Sequence, residues 1–174
     1  DQQHAEYQRF MAWLEETGRL DRELEFLPTD DQLNERINRN QPVWTRPELS
    51  VLICYAKVML KEVLLQADLL SEPWLARSVN NAFPLELIER YSDAVAEHQL
   101  RHEIVATQLA NDLVDRMGFS FFFRQMESTG ASAGEVVRAY TQVINILGID
   151  ELWQSIEADT NLTADVQLDL LHML

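Results

Sequence analysis

Two histidines four positions apart, His98 and His102, are the residues whose types and spacing most directly suggest chemistry. Residues at i and i+4 lie on one face of a continuous helix, where two imidazoles can bind the same metal ion. Glu97 and Glu103 stand beside them, but each lies about 100° around the helix from its neighbouring histidine. Because a zinc site needs three or four ligands, this set is incomplete. One hypothesis is therefore a helical metal-binding protein that uses His98 and His102.

The competing interpretation places both histidines at a junction between two helices, near Glu97–Leu100. Imidazoles at helix ends meet solvent, carboxylates or a helix C-terminus. A junction there would put His98 and His102 on different segments of the chain. The i, i+4 argument for a shared metal ion would then fail on geometry.

A run of phenylalanines forms the second candidate site: Phe119, Phe121, Phe122 and Phe123. Successive residues of a helix point about 100° apart, so three consecutive phenylalanines cannot all face one core. Exposed apolar patches mark contact surfaces, which gives the hypothesis that this run docks a partner protein. The alternative is that most of these rings belong to the core of a helical domain.

The sequence carries none of the common catalytic motifs. The five glycines have neither the G-x-G-x-x-G spacing of a dinucleotide fingerprint nor that of a phosphate-binding P-loop, and no G-x-S-x-G occurs. Cys54 lies in the apolar run "VLICYAKVML", which predicts a buried, unreactive thiol. Carboxylate pairs are common, but in so acidic a chain they are expected on solvated faces. We therefore assign no catalytic residue and no bound cofactor to these 174 residues.

The net charge restricts the classes of partner that the chain can bind. The chain carries 29 acidic and 14 basic residues, a net charge of −15. Such an excess repels phosphate backbones and anionic lipid surfaces, so we expect neither a nucleic-acid nor a membrane partner. The longest apolar stretch, residues 49–65, is interrupted by charges. The single cysteine is compatible with a reducing compartment, and we predict a cytoplasmic location.

The elements that position these residues all follow helical periodicity. Thr45 with Glu48, and Ser132 with Glu135, match the S/T-x-x-E capping box that begins a helix. The helix from Thr45 has apolar residues on most of its circumference, which predicts a central helix. No convincing strand appears, and "FSFFF" is the best candidate. The sequence predicts an all-α fold: a compact domain of about eight or nine helices with no sheet.

Two further helices are predicted in the middle of the chain. One covers "SEPWLARSVNNAF", residues 71–83, with Ser71 as its cap. The other begins at Pro84 and continues to Val95. Tryptophans 44, 74 and 153 each stand near a helix start, and ordinary packing explains them better than ligand stacking.

We expect residues 1–174 to form one helical domain, with residues 1–28 as an N-terminal helix and linker and residues 29–174 as the main body. The chain opens on Asp1 rather than methionine, and it closes on "LLHML" within an apolar helical pattern. We therefore expect it to be a domain of a longer polypeptide.

Three blocks of sequence support that expectation. They are "LEFLPTDDQLNERI", "WTRPELSVLICYAK" and "LRHEIVATQLANDLVDRMGFSFFFRQMESTGAS". In this order they resemble the C-terminal helical region of the large bacterial NAD-dependent glutamate dehydrogenases, from about residue 20 to the end of the chain. The resemblance implies a parent enzyme that oxidises L-glutamate to 2-oxoglutarate and ammonium with NAD. It also implies that the catalytic and nucleotide-binding domains precede this region, so no catalytic residue of the family falls on it.

Three hypotheses follow. The first is a non-catalytic C-terminal region that braces the catalytic domains of the same chain or forms contacts between the subunits of a homo-oligomer. On this hypothesis NAD binds the parent enzyme and not this region, which by itself is inactive. The second is a free-standing acidic helical interaction module that docks a partner through Phe119–Phe123. The third is the metal-binding protein described above.

Overall fold

The fold is entirely helical in the computed structural model, which describes residues 2–67 and 82–173. These residues contain ten α-helices and no β-strand, so the predicted fold class is confirmed. The helices are α1 (Gln2–Glu16), α2 (Asp30–Asn38), α3 (Arg46–Gln66), α4 (Leu85–Arg90), α5 (Ser92–Ala96), α6 (Arg101–Met117), α7 (Phe121–Thr129), α8 (Ala133–Leu147), α9 (Ile149–Ala158) and α10 (Ala164–His172).

The middle of the chain differs from the prediction. The single helix expected from Pro84 to Val95 is two short helices, because Tyr91 adopts φ −135° and ψ 40° between α4 and α5. The exposed side chain of Tyr91 gains no burial that would hold the segment in one helix. The helix predicted over residues 71–83, with Ser71 and Trp74, lies almost entirely outside the described residues.

The helix ends follow the local sequence. Both predicted capping boxes are present: the hydroxyls of Thr45 and Ser132 accept hydrogen bonds from the backbone N–H groups of Glu48 and Glu135. Each glutamate returns a carboxylate to the backbone N–H of its cap at 2.8 Å. At the other end of α8, Gly148 adopts φ 62° and ψ 31°, a left-handed conformation that glycine reaches without a Cβ clash.

The core centres on α3 and α6, which pack against each other more extensively than any other pair of described helices. On α6 the buried residues recur at i, i+4 and i+8, so they form one stripe facing α3. Ala106 and Ala110 in that stripe are 0% and 2% exposed, and their small side chains permit a close helix approach. Lys57 of α3 and Asp115 of α6 pair at 2.7 Å beside this contact.

The predicted burial of α3 on most sides is wrong in detail. Leu52, Ala56 and Leu60 are fully buried on one side, but Val58 remains 55% exposed. Cys54 is exposed, and not buried as its residue type suggested. It lies about 200° around the helix from Leu52, so it points away from the core face.

The first helix joins the same core. Phe10, Met11 and Leu14 of α1 are all fully buried. Ion pairs connect α1 to α7, with Arg9 and Glu127 at 3.2 Å and Arg124 and Glu6 at 3.5 Å. The last two helices are different, since none of the side chains described in α9 and α10 is buried. They attach in series, α9 on α8 and α10 on α9.

Candidate functional site

The two histidines are separated by a helix boundary. Helix α5 ends at Ala96 and α6 begins at Arg101, so His98 lies in the connection and His102 in the first turn of α6. The Nδ1 atom of His98 accepts a hydrogen bond from the backbone N–H of Leu100 at 3.1 Å. Its ring lies 5.5 Å from that of Phe83, measured between centroids. The predicted junction is therefore confirmed, and the histidines do not share a helix face.

No group of three or more potential metal ligands gathers anywhere in the part of the chain that the structure describes. A pair of separated imidazoles without a third ligand does not make a zinc site. The hypothesis that His98 and His102 bind a metal thus loses the geometry on which it depended.

The phenylalanine run lies mainly in the core. Phe119, Phe122 and Phe123 are 6%, 0% and 5% exposed, and each ring centroid lies within 5.7 Å of that of Phe10. They are therefore not available as a docking surface in this fold. The chain bends at Gly118 before α7, and this lets the rings surround Phe10 from two elements. Only Phe121 is half-exposed, and its contact role stays a prediction.

Phe121 lines an open cavity of about 540 Å³ between α7 and α8, which we call the C-terminal groove. Met117 closes one side from the end of α6, and Ile149 closes another from the start of α9. The wall on α8 is formed by Val136, Ala139 and Val143, whose spacing of three and four places them on one helix face. The small side chain of Ala139 leaves the floor of the groove open. Mostly apolar clefts of this size bind apolar groups of ligands or partners.

The left-handed glycines on either side of α8 create the groove. Gly130, at φ 73° and ψ 6°, turns the chain from α7 into α8, and Gly148 turns it from α8 into α9. These sharp reversals hold the three helices around one concave surface. Leu147 lies one turn after Val143 on the same face of α8, and it is 67% exposed. The apolar wall therefore continues out of the groove onto the surface.

One side of the groove carries a polar network. The hydroxyl of Tyr140 is buried, and this burial raises the pKa of the phenol, an effect opposed by the positive charge of Arg116. Arg116 forms an ion pair with Asp150, which connects α6 to the first turn of α9. Loss of solvent also raises the pKa of Asp112, again against the effect of Arg116.

Trp153 extends this network along α9. The guanidinium of Arg116 lies 4.9 Å from the centre of the Trp153 ring, a cation–π distance. The Nε1–H of Trp153 donates to Glu157 at 2.9 Å. Trp153 therefore packs structurally, as predicted, and so does Trp44, which is 8% exposed. Together these contacts hold α9 beside the groove.

The surface beyond the groove is both apolar and acidic. No lysine or arginine follows Arg138 in the sequence, while six carboxylates stand in residues 149–173. Six large apolar side chains in residues 146–173 remain 44% to 77% exposed. We call this surface, together with the groove, the C-terminal face; its exposed apolar residues are Ile146, Leu147, Leu152, Val166, Leu168 and Met173.

Sequence reasoning did not single out this surface. The signal that could have revealed it is the breadth of the apolar arc on α8, which is wider than one neighbouring helix can cover. Among the described helices, none combines the length and apolarity that a membrane crossing requires.

Comparison with known proteins identifies the family of this helical chain. The family model described as glutamate dehydrogenase, C-terminal, matches residues 42–174. The chain belongs to the glutamate dehydrogenase C-terminal family. Every residue of the C-terminal groove lies within the matched region.

Individual relatives of this glutamate dehydrogenase family agree. The NAD-specific glutamate dehydrogenase of Halomonas elongata is 49% identical over 173 residues, covering 97% of this chain and 11% of the relative. The enzyme of the same name from Pseudomonas aeruginosa is 47% identical, covering 98% of this chain and 10% of the relative. That of Mycobacterium tuberculosis is 37% identical over 80% of this chain. The resemblance carried by the three sequence blocks is thus confirmed, and the chain spans about a tenth of the relatives' length.

Proposed function

We propose that this chain is the non-catalytic C-terminal region of an NAD-dependent glutamate dehydrogenase, and that it braces the catalytic domains or forms subunit contacts through its C-terminal face. The parent polypeptide would convert L-glutamate, NAD and water into 2-oxoglutarate, ammonium and NADH. NAD would bind the parent's catalytic domains. The relatives' shared name supports the parent activity, and a cytoplasmic location stays a prediction.

The observation that carries the contact role is the C-terminal face. This part of the chain carries a groove of about 540 Å³ and, outside its lining, six large apolar side chains that solvent reaches. Exposed apolar side chains in this number favour a contact region, because leaving them in water costs free energy. The carboxylates around it, with no lysine or arginine in residues 139–174, favour an opposing surface bordered by basic residues.

A matched pair of substitutions in the full-length polypeptide tests this role. Val143→Glu puts a charge on the groove wall, at a residue that is 50% exposed; Val58→Glu makes the same change on α3, at a residue that is 55% exposed. Both variants of the 174-residue chain should remain folded by circular dichroism. In the full-length polypeptide, Val143→Glu should lower glutamate-dependent NADH formation roughly tenfold or dissociate the oligomer, because a misplaced brace disturbs positioning at a distance. Val58→Glu should do neither.

Equal behaviour of the two variants would refute a contact role for the C-terminal face. The non-catalytic part of the proposal has its own test, which is calorimetric titration of the 174-residue chain with NAD. We expect no saturable heat, and a stoichiometric binding curve would contradict the assignment.

A further inference from the structure

A turn between α1 and α2, well before the C-terminal face in the sequence, exposes two large apolar side chains. Leu24 is 72% exposed and Phe26 is 91% exposed. Phe26 also has φ 54°, in the left-handed region that residues with a Cβ seldom occupy. A bulky ring in this conformation, with almost no burial, contributes little to the stability of its own domain.

The backbone of this turn is held by short-range hydrogen bonds. The Asp21 carboxylate accepts hydrogen bonds from the N–H groups of Glu23 and Leu24, both at 3.0 Å. The N–H of Leu27 donates to the carbonyl of Arg22 at 2.9 Å, and Leu27 itself is buried. The turn therefore has a defined shape, with its apolar tips pointing outward.

Side-chain contacts fix the turn to three helices. Arg22 pairs with Glu15 of α1 at 2.7 Å and with Asp30 at the start of α2 at 2.8 Å. The Tyr55 hydroxyl on α3 donates to the Glu25 carboxylate at 2.7 Å. Because the turn is already ordered, it loses little conformational entropy when a partner binds to it. Backbone strain supported by so many contacts is typical of segments that serve a contact.

We propose that Leu24 and Phe26 form an anchor that inserts into an apolar pocket bordered by lysine or arginine, on the part of the same polypeptide outside these 174 residues. Aromatic side chains such as that of Phe26 are enriched in protein contacts. The inference rests on the proposed function, since it needs the longer dehydrogenase.

Charge and length argue for this occupant. Glu23 and Glu25 alternate with the apolar tips Leu24 and Phe26, so a basic rim complements the turn. A second copy of the same surface would bring like charges together, and the chain already carries a net charge of −15. The relatives place about nine-tenths of their length outside the region that this chain matches.

Photocrosslinking in the full-length polypeptide tests the anchor. In one variant benzoylphenylalanine replaces Phe26; in the control variant it replaces Leu100, which is 55% exposed and precedes α6. We expect the probe at position 26 to crosslink to a segment outside these 174 residues that contains lysine or arginine, with a yield roughly tenfold above that at position 100. Crosslinks to this region of a second copy, to another protein, or at the control yield would each overturn the proposal.

The variant Phe26→Gly distinguishes an effect on the contact with a partner from an effect on the stability of the chain. Phe26→Gly relieves the left-handed backbone, so the 174-residue chain should melt at the same or a higher temperature. With benzoylphenylalanine at Glu23 of the full-length polypeptide, adding Phe26→Gly should lower the crosslink yield roughly tenfold. An unchanged yield would overturn the anchor. If the crosslink yield is unchanged but Val143→Glu still lowers activity or dissociates the oligomer, only the anchor proposal is refuted. If neither substitution has its expected effect, the proposed function is refuted as well.

Discussion

Two regions of this protein use similar apolar residues for different ends. In the core region, formed by α1, α3, α6 and α7, Phe10, Leu60 and Phe122 are fully excluded from solvent. In the C-terminal region, formed by α8, α9 and α10, Ile146 and Leu147 are 77% and 67% exposed. The amphipathic helix pattern is present in both regions. The difference lies in whether another described helix covers the apolar face. In the core region the apolar side chains are buried and stabilise the fold. In the C-terminal region apolar side chains stay exposed and are free to contact a partner.

The largest effect should come from the aromatic cluster of the core region. Phe122→Ala removes a ring that is fully buried and lies 5.6 Å from Phe10 in an edge-to-face arrangement. We expect a loss of about 3–5 kcal/mol in the free energy of unfolding, since the cavity cannot close completely. Urea denaturation measures it, with Ile146→Ala as the comparison from the C-terminal region. Equal decreases in the free energy of unfolding of the two variants would show that the two regions do not differ in how their apolar side chains are buried.

The next effect compares two faces of one helix. Leu60→Ala on α3 should destabilise the chain by about 2–5 kcal/mol, because Leu60 is fully buried. Val58→Ala, on the exposed side of α3, should cost less than about 0.5 kcal/mol. Thermal unfolding followed by circular dichroism is sufficient. If Val58→Ala lowered the free energy of unfolding nearly as much as Leu60→Ala, α3 would be buried on most sides, as the sequence predicted.

A pH experiment compares the capping boxes of the two regions. Burial alone would raise the pKa of Glu48, but hydrogen bonds from Arg36 and Thr45 hold it below its usual value. The Arg36 guanidinium contacts both carboxylate oxygens, at 2.8 Å and 2.9 Å. Since the folded-state pKa is depressed, the stabilisation is complete above the unfolded value near 4.3 and is lost as the pH falls below it.

Glu48→Gln should therefore cost about 1–2 kcal/mol at pH 7, and the difference from the parent chain should shrink towards pH 3. Glu135 is the matched control, because hydrogen bonds with Ser132 lower its pKa, whereas Arg36 also contributes to lowering that of Glu48. Glu135→Gln should have a smaller effect. Denaturant titrations at several pH values decide the point, and a constant difference from pH 7 to pH 3 would argue against the ion pair as the cause.

The smallest effect is expected on the C-terminal face. Leu147→Ala should change the stability of the 174-residue chain by less than about 0.5 kcal/mol, because the side chain is already 67% exposed. Differential scanning calorimetry at matched concentrations checks this. A loss as large as that in Leu60→Ala would mean that Leu147 belongs to the core after all.

Sequence reasoning was most accurate where structure depends on near neighbours in the chain. The caps at Thr45 and Ser132 were both predicted and are confirmed. The junction around His98 was also anticipated. Each of these features depends on hydrogen bonds or backbone sterics within a few residues, which the local sequence specifies.

Burial was predicted less well. Cys54 is exposed although its residue type suggested a core position, and Val58 is 55% exposed although α3 was predicted to be a central helix. Residue type and periodicity locate an apolar face. They do not say which other helix covers that face, because this depends on contacts between segments far apart in the chain.

By itself, then, the sequence determined an acidic, all-helical chain, its capped helices and the family to which it belongs. Only the tertiary structure decided which apolar faces are covered, and it left exposed both the C-terminal face and the turn at Leu24 and Phe26. The physical reason is that a capping hydrogen bond needs a partner three residues away. Burial of an apolar side chain needs a whole second helix at the right angle, as α3 supplies to α6.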